Sequence, residues 1–284
     1  MSKLLLLLLP LFFVHAQTPA ANALPRATSI GRAPNGSFRK PSASGAVPVV
    51  QSSVLPRILA GSNWETTVVL LNTGSASVTF QQFFFAPDGT PISYTISAQA
   101  ASGLTTSAIQ GVLGPGASLS MVLSDKTGAV PEGWSLLTYD DGPGVLVGYA
   151  IIRRTGLSGG FPSETTVPFS DTRDYSVYVP FDNTLGFRSQ LTLLNPAGNL
   201  SSHVRLTYLD PKGRVLLTDL LTLQPAQQMT VILPDAYPDL ANKTGSVLVE
   251  ADIDRSSVTA LRYNDAYGAV AALPVITRSA SLLE

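Results

Sequence analysis

The chain lacks cysteine altogether and is poor in charged residues and in histidine. Without cysteine it has no disulfides, no thiol catalysis and no thiolate zinc site. Charged residues make up only 13% of the chain and the formal net charge is −1, so neither nucleic acid nor an anionic membrane surface is an expected partner. Beyond residue 16 the single histidine is His203, which is too few for a zinc site.

Residues 1–16 are predicted to be a secretory signal peptide. A lysine precedes a short apolar run that closes on Val14-His15-Ala16, a small-x-small cleavage pattern. The run is too short to span a bilayer, so no membrane insertion is expected after its removal. An exported protein without cysteine is typical of the bacterial periplasm, cell surface or medium. Residues 17–53 are rich in Pro, Ala and Ser and are predicted to form a disordered linker.

The second half of the chain repeats the first. Leu70-Leu71-Asn72 aligns with Leu193-Leu194-Asn195, and the segment 113–125 aligns with 223–235. A repeat of roughly 110 to 125 residues is too long for a solenoid and fits a small domain copied in tandem. The predicted domains are therefore residues 54–170 and residues 171–284.

Each copy consists of short β-rich runs separated by Gly, Pro, Asn and Asp. The strands at 78–85 and 203–209 are both followed by Pro-x-Gly, in which Pro presets φ for the turn and Gly accepts a positive φ. Several such strands in about a hundred residues predict an all-β fold of two tandem antiparallel β-sandwich domains. With its Leu-Leu-Asn and Pro-x-Gly motifs and its duplication, the chain resembles tandem bacterial immunoglobulin-like or fibronectin-like repeats of exported proteins.

Outward aromatic side chains are the best candidates for a binding site. The alternation of the strand at 78–85 places Phe84 inward and Phe83 and Phe85 outward. With Trp64, these residues are predicted to form a patch that stacks on sugars or contacts a protein. The alternative is that they pack beneath a loop or against the neighbouring domain.

No catalytic, metal or cofactor site is predicted. His203 lies on the solvent face of its strand, and the few glutamates (Glu65, Glu132, Glu164, Glu250 and Glu284) show no pair typical of a glycosidase. Calcium binding is left open for the acidic loops, although turn aspartates in contact with water explain them better. Those loops contain Asp171, Asp174, Asp182, Asp252 and Asp254.

Taken together, these patterns favour a non-catalytic exported protein that acts by contact, as an adhesion-type or scaffold module with an unidentified protein or glycan partner. The first alternative is a carbohydrate-binding module that uses exposed aromatic residues. The second is a glycoside hydrolase, which would require two carboxylates that converge in a pocket.

Overall fold

A computed structural model describes residues 50–98, 101–125, 132–140, 145–155, 162–170, 176–253 and 256–278. The fold is all-β, with 67% strand and 3% helix, and its strands form four antiparallel sheets. The predicted signal peptide and most of the predicted linker lie outside the described residues. The first strand begins at Val50, a few residues before the predicted end of the linker.

The first half of the chain forms two of the sheets. Sheet I has the strand order β1-β8-β3-β6 and sheet II has the order β10-β9-β2-β7-β4-β5. The strands are β1 Val50–Leu59, β2 Trp64–Asn72, β3 Val78–Phe85, β4 Tyr94–Ala98, β5 Ala101–Thr106, β6 Ala108–Leu113, β7 Ser118–Ser124, β8 Glu132–Asp140, β9 Leu146–Arg154 and β10 Ser163–Pro168.

The second half forms sheet III, with the order β14-β13-β16-β11-β19, and sheet IV, with the order β15-β12-β17-β18. A short helix α1, Leu233–Ala236, and a 3₁₀ turn, Pro238–Leu240, follow β15. The strands are β11 Ser176–Asp182, β12 Arg188–Leu194, β13 Ser202–Leu209, β14 Val215–Leu223, β15 Gln228–Ile232, β16 Thr244–Ala251, β17 Ser257–Asn264, β18 Ala269–Leu273 and β19 Ile276–Thr277.

The duplication is visible in the sheet topology. The order β1-β8-β3-β6 of sheet I recurs as β11-β16-β13-β14 in sheet III, and β10-β9-β2-β7 of sheet II recurs as β18-β17-β12-β15 in sheet IV. The first half adds β4 and β5 to this plan, and the second half adds β19. In both halves the chain passes back and forth between two sheets, so that no sheet is built from consecutive strands alone.

The two aligned asparagines explain why the Leu-Leu-Asn motif recurs. The buried Asn72 amide donates to the carbonyls of Ala76 and Leu113, at 2.7 and 2.9 Å. Asn195, also buried, donates to the carbonyl of Leu200 at 2.7 Å and to that of Leu223 at 3.3 Å. Each asparagine therefore satisfies backbone carbonyls at the same end of its sheet pair, a role that a hydrophobic residue could not fill.

The predicted register and turns are confirmed. Phe80, Gln82 and Phe84 are buried, as are Val204, Leu206 and Tyr208 on β13. The buried Gln82 amide donates to the Ser135 hydroxyl at 3.0 Å, which accounts for a polar side chain between the buried Phe80 and Phe84. Gly89 and Gly213 have φ values of 83° and 77°, as the Pro-x-Gly turns require.

The four sheets form a four-blade, propeller-like arrangement, and the prediction of two tandem immunoglobulin-like sandwich domains is wrong. Apolar clusters lie between sheets I and II and between sheets III and IV, and the cluster of the first half extends into the second half. The first cluster includes Leu261, Tyr263 and Val270 of sheet IV. A third cluster joins residues of sheet I to Leu194 and Ala226 of the second half. Sheet I therefore packs against both sheet II and sheet IV, and sheet III packs against sheet IV. Sheet II also contacts sheet IV directly, through Arg154 of β9 and Tyr263 of β17.

The error has a simple physical cause. Alternation along a strand shows that one face is buried, but it does not show what covers the other face. In β12, every residue from Ser189 to Leu194 is buried, because sheet IV has a core on one side and sheet I on the other. Such a strand is packed on both faces, as in the interior of a layered fold.

Candidate functional site

Two of the three predicted binding aromatics contribute to the packing between the halves. Phe85 is only 7% exposed and stacks on Trp134, with ring centroids 4.4 Å apart and an interplanar angle of 23°. Both rings pack against Leu194 and Ala226 of the second half, and Phe83 lies beside them. The outward assignment of Phe85 in the register is correct, but the expectation that its ring reaches solvent is wrong. The alternative, in which these aromatics pack against the neighbouring half, describes their position.

A buried ion pair lies in the same interface. Arg57 on β1, whose side chain is 1% exposed, forms a bidentate pair with Glu132, at 3.0 Å for each nitrogen–oxygen contact. Arg57 also donates to the Thr230 hydroxyl of β15. Burial lowers the pKa of Arg57, while the charge and hydrogen bonds of Glu132 act to raise it. Both partners of the pair belong to sheet I, and the contacts of Arg57 and Glu132 with the Thr230 hydroxyl join the pair to sheet IV.

The Gln228 side chain completes this polar contact between the halves. Its amide donates to the carbonyls of Pro56 and Gly133, at 2.6 and 2.9 Å. Its backbone N–H donates to the carbonyl of Pro87 at 2.8 Å. Three hydrogen bonds from one residue of β15 thus reach three separate segments of the first half.

Trp64, the third predicted aromatic, is half-buried at the other end of the interface. The guanidinium carbon of Arg154 lies 5.0 Å from the centroid of the Trp64 ring and 5.9 Å from that of Tyr263. Arg154 also binds the Asp265 carboxylate at 2.6 Å, and Arg188 lies 5.7 Å from the Tyr263 centroid. This ladder of aromatic rings and arginines stabilises the contact between β9 and β17. One face of the Trp64 ring is therefore covered by a cation, which does not favour a stacking platform for sugars.

The structure places His203 on the exposed face of β13, as the register predicts. Its Nδ1 lies 2.7 Å from the Asp252 carboxylate, and its side chain is 69% exposed. The neighbouring Ser202 hydroxyl contacts Asp252 at 3.4 Å rather than the imidazole. The geometry therefore lacks the contact between a nucleophile and a base that a triad requires.

Several of the acidic residues that the structure describes are held in ion pairs or turns. Glu65 and Glu164 both contact Arg153, and Glu250 contacts Arg205 and Arg278. Asp182 accepts hydrogen bonds from Thr184 and pairs with Arg262 at 2.7 Å. Among the described residues, no group of three or more His, Cys, Asp or Glu side chains could hold a metal ion. Asp171, Asp174, Asp254 and Glu284 lie outside those residues.

A large apolar surface is exposed on sheet II, on the side that faces away from its core. Leu71 of β2 pairs with Val147 of β9, and Val69 pairs with Tyr149. Leu71, Val147 and Tyr149 are 37%, 45% and 41% exposed. We call this surface the sheet II face. It consists of Thr67, Val69, Leu71, Val147, Tyr149 and Ile151.

The second half contains an exact positional counterpart of this surface, and there it is buried. Leu194 pairs with Ser257 and Thr192 with Thr259, and none of the counterpart side chains is more than 7% exposed. Among them, Leu194 packs with Phe85 and Trp134 of sheet I, and Leu261 belongs to the apolar cluster of the first half. The six counterparts are Gln190, Thr192, Leu194, Ser257, Thr259 and Leu261.

The exposed copy is the more apolar of the two. Val69 occupies the position of Thr192, Val147 that of Ser257, and Tyr149 that of Thr259. Apolar surface costs free energy in water. If the sheet II face were always in contact with solvent, it would be expected to be more polar than its buried counterpart. Contiguous apolar patches of this kind are typical of interaction sites.

Sequence reasoning from the outward aromatics missed the sheet II face. A signal for it is present in the run Val68-Val69-Leu70-Leu71 and in the segment 146–152, which are apolar on both faces. A strand in a half-exposed sheet normally alternates apolar and polar residues. Two adjacent strands that break this alternation therefore predict either a second packed layer or a contact surface.

Comparisons of the chain with protein-family models, with curated proteins and with solved structures gave no match. The geometry of the molecule is therefore the basis for inferring its function. Among the described residues, no helix is both long and apolar enough to cross a membrane.

Proposed function

We propose that this chain is a non-catalytic exported protein that acts by contact, as a structural or adhesion-type module of a bacterial surface or extracellular space. The observation that supports a contact role is the sheet II face, which is exposed although it is more apolar than its buried counterpart. Export is supported by residues 1–16 alone, with their apolar run and small-x-small cleavage pattern.

The chemistry of the sheet II face favours a protein partner. Its exposed side chains are aliphatic apart from Tyr149, and the neighbouring β7 contributes the small polar residues Ser118 and Ser120. Aliphatic surface offers neither the flat stacking area nor the fixed hydrogen-bond donors that a sugar ring requires. A flat apolar patch with a central tyrosine is characteristic of protein interfaces.

A binding panel tests the proposal. The protein, purified after export, would be measured by biolayer interferometry against immobilised glycans, extracellular matrix proteins and the protein itself. We expect binding to a protein surface that is lost in Val147→Glu and retained in Leu220→Glu. Leu220 is a matched control because it is 73% exposed and lies on β14 of sheet III.

Each outcome of the panel is informative. Binding that Val147→Glu leaves intact would refute the role of the sheet II face. A glycan that binds and is lost in Tyr149→Ala would instead identify a carbohydrate-binding module. Hydrolysis of any glycan in the panel would overturn the non-catalytic proposal.

A further inference from the structure

We propose that the sheet II face is the interface of a homodimer, in which a second copy of the chain packs the same face against it about a two-fold axis. This inference rests on the proposed contact function and identifies its partner. It starts from the sheet II face and the outer surface of sheet III, because both carry exposed side chains that a second molecule could contact.

The outer surface of sheet III carries several charged groups beside the exposed Leu220. Arg205 pairs with Glu250 at 2.6 Å, Arg278 contacts the same carboxylate group at 3.3 Å, and His203 pairs with Asp252. If sheet III of one molecule packed on sheet II of the next, these groups would be desolvated against Leu71 and its neighbours. Burial of charged groups against apolar surface is unfavourable. Head-to-tail stacking is therefore disfavoured.

An apolar surface is best covered by another apolar surface, and the sheet II face meets that requirement for itself. In a two-fold pair the same residues lie on both sides, which gives a closed assembly rather than a filament. The charged group formed by Arg153, Glu65 and Glu164 lies at one end of the same strands. With Val69 and Tyr149 at the centre, that group falls at the rim of the interface, where water can reach it.

The molecule itself provides a precedent for this kind of packing. The counterpart surface of sheet IV is already covered by another sheet, with Trp134 and Phe85 filling the space between the layers. In the proposed dimer, Tyr149 of each copy takes the place of those aromatic rings. A two-fold pair would bring two tyrosines to the middle of the interface, and aromatic side chains are enriched in interface cores.

The size of the surface is close to that of a small dimer interface. The four strands β10, β9, β2 and β7 have 6, 9, 9 and 7 residues, and at about 3.3 Å per residue and about 4.8 Å between strands they cover about 490 Å². The pair would therefore bury about 1,000 Å², which is the size expected of the smallest specific interfaces. The dimer would lie at the small end of stable interfaces, so that its dissociation is measurable.

Sedimentation-equilibrium ultracentrifugation of the exported protein tests this proposal over a range of micromolar concentrations. We expect a monomer–dimer equilibrium whose Kd rises by at least ~100-fold in Val147→Glu, because the two-fold axis places two carboxylates in the apolar interface. Leu220→Glu is expected to leave the Kd unchanged. Ser120→Glu, which changes an exposed polar residue next to Val69, is a second interface variant in case Val147→Glu alters the fold, as judged by circular dichroism.

The results separate this inference from the proposed function. A monomer at all concentrations overturns the dimer, as does a dimer that both glutamate variants leave intact. The wild-type protein could instead be monomeric and bind a different protein, with that binding lost in Val147→Glu. In that case the contact function stands and only the identity of the partner is wrong. If the dimer forms and the Kd rises in the interface variants alone, the proposal is supported.

Discussion

Loss of the Glu132 carboxylate should strongly destabilise the whole molecule. In Glu132→Gln, the Arg57 guanidinium keeps its charge but loses the carboxylate that binds both of its terminal nitrogens. Removal of one partner of a buried ion pair costs about 3–5 kcal/mol. Since the Glu132 side chain is 33% exposed while that of Arg57 is 1% exposed, water can reach one side of the pair. We therefore expect a loss of about 3 kcal/mol, at the lower end of that range.

Urea unfolding followed by tryptophan fluorescence measures this loss, because Trp134 is buried in the same interface. With an m-value of about 3 kcal/mol per molar urea, the midpoint should fall by about 1 M. The matched control is Glu65→Gln, which breaks a more exposed ion pair with Arg153 at 3.7 Å and should cost less than about 0.5 kcal/mol.

A double variant isolates the interaction. Arg57→Met removes the buried charge, so Arg57→Met/Glu132→Gln should be more stable than Glu132→Gln alone, and the two losses should not add. If Glu132→Gln costs no more than the Glu65→Gln control, or if the two losses are additive, the interface does not depend on this pair as described.

Two further predictions concern pH and the sheet edge. The Asp88 carboxylate accepts hydrogen bonds from the Thr90 hydroxyl and backbone N–H, which lower the pKa of Asp88 in the folded protein. Its contribution to the free energy of unfolding is therefore complete above the unfolded pKa of about 4, and it is lost as the pH falls through the lower pKa of the folded protein. The unfolding free energies of the wild type and Asp88→Asn should thus differ at pH 6 and converge near pH 2, and a difference that is constant with pH would contradict this account. On the edge strand β14, Asp219 accepts the Leu220 N–H at 2.8 Å and the Tyr237 hydroxyl at 2.5 Å, so Asp219→Ala should expose an edge amide between apolar neighbours and promote aggregation. Light scattering during heating would show this increase relative to Asp239→Ala, an exposed control, and equal scattering of the two variants would count against the role of Asp219.

The strands, their buried faces and the Pro-x-Gly turns could be predicted because they depend on neighbours in sequence. The duplication also predicted the equivalent strand orders of the two halves. The mutual arrangement of the halves could not be predicted in the same way, since it depends on side chains that point away from the local core. The residues of the second half at the positions of Phe83, Phe85 and Trp134 are Thr207, Leu209 and Ser246, none of which is aromatic. This difference between the two halves is the sequence feature that indicates the interface.

The charged interface residues were harder to interpret. Arg57 lies within an apolar run, Val54-Leu55-Pro56-Arg57-Ile58-Leu59, and its carboxylate partner is at Glu132 on a distant strand. A single sequence does not show which acid will meet a buried arginine across the molecule. For the same reason the ladder of Trp64, Arg154 and Tyr263 was not predicted, although each residue was visible in the sequence.

The aromatic residues between sheets I and IV imply that the two copies of the ancestral unit are no longer interchangeable. The first copy carries the rings that fill the gap, and the second carries the small and aliphatic side chains that receive them, among them Ala226 and Leu194. A swap in the order of the copies would place Ser246 and Leu209 where Trp134 and Phe85 are required. Either half alone would expose its side of this apolar layer to water. Each half therefore depends on the other to cover these side chains.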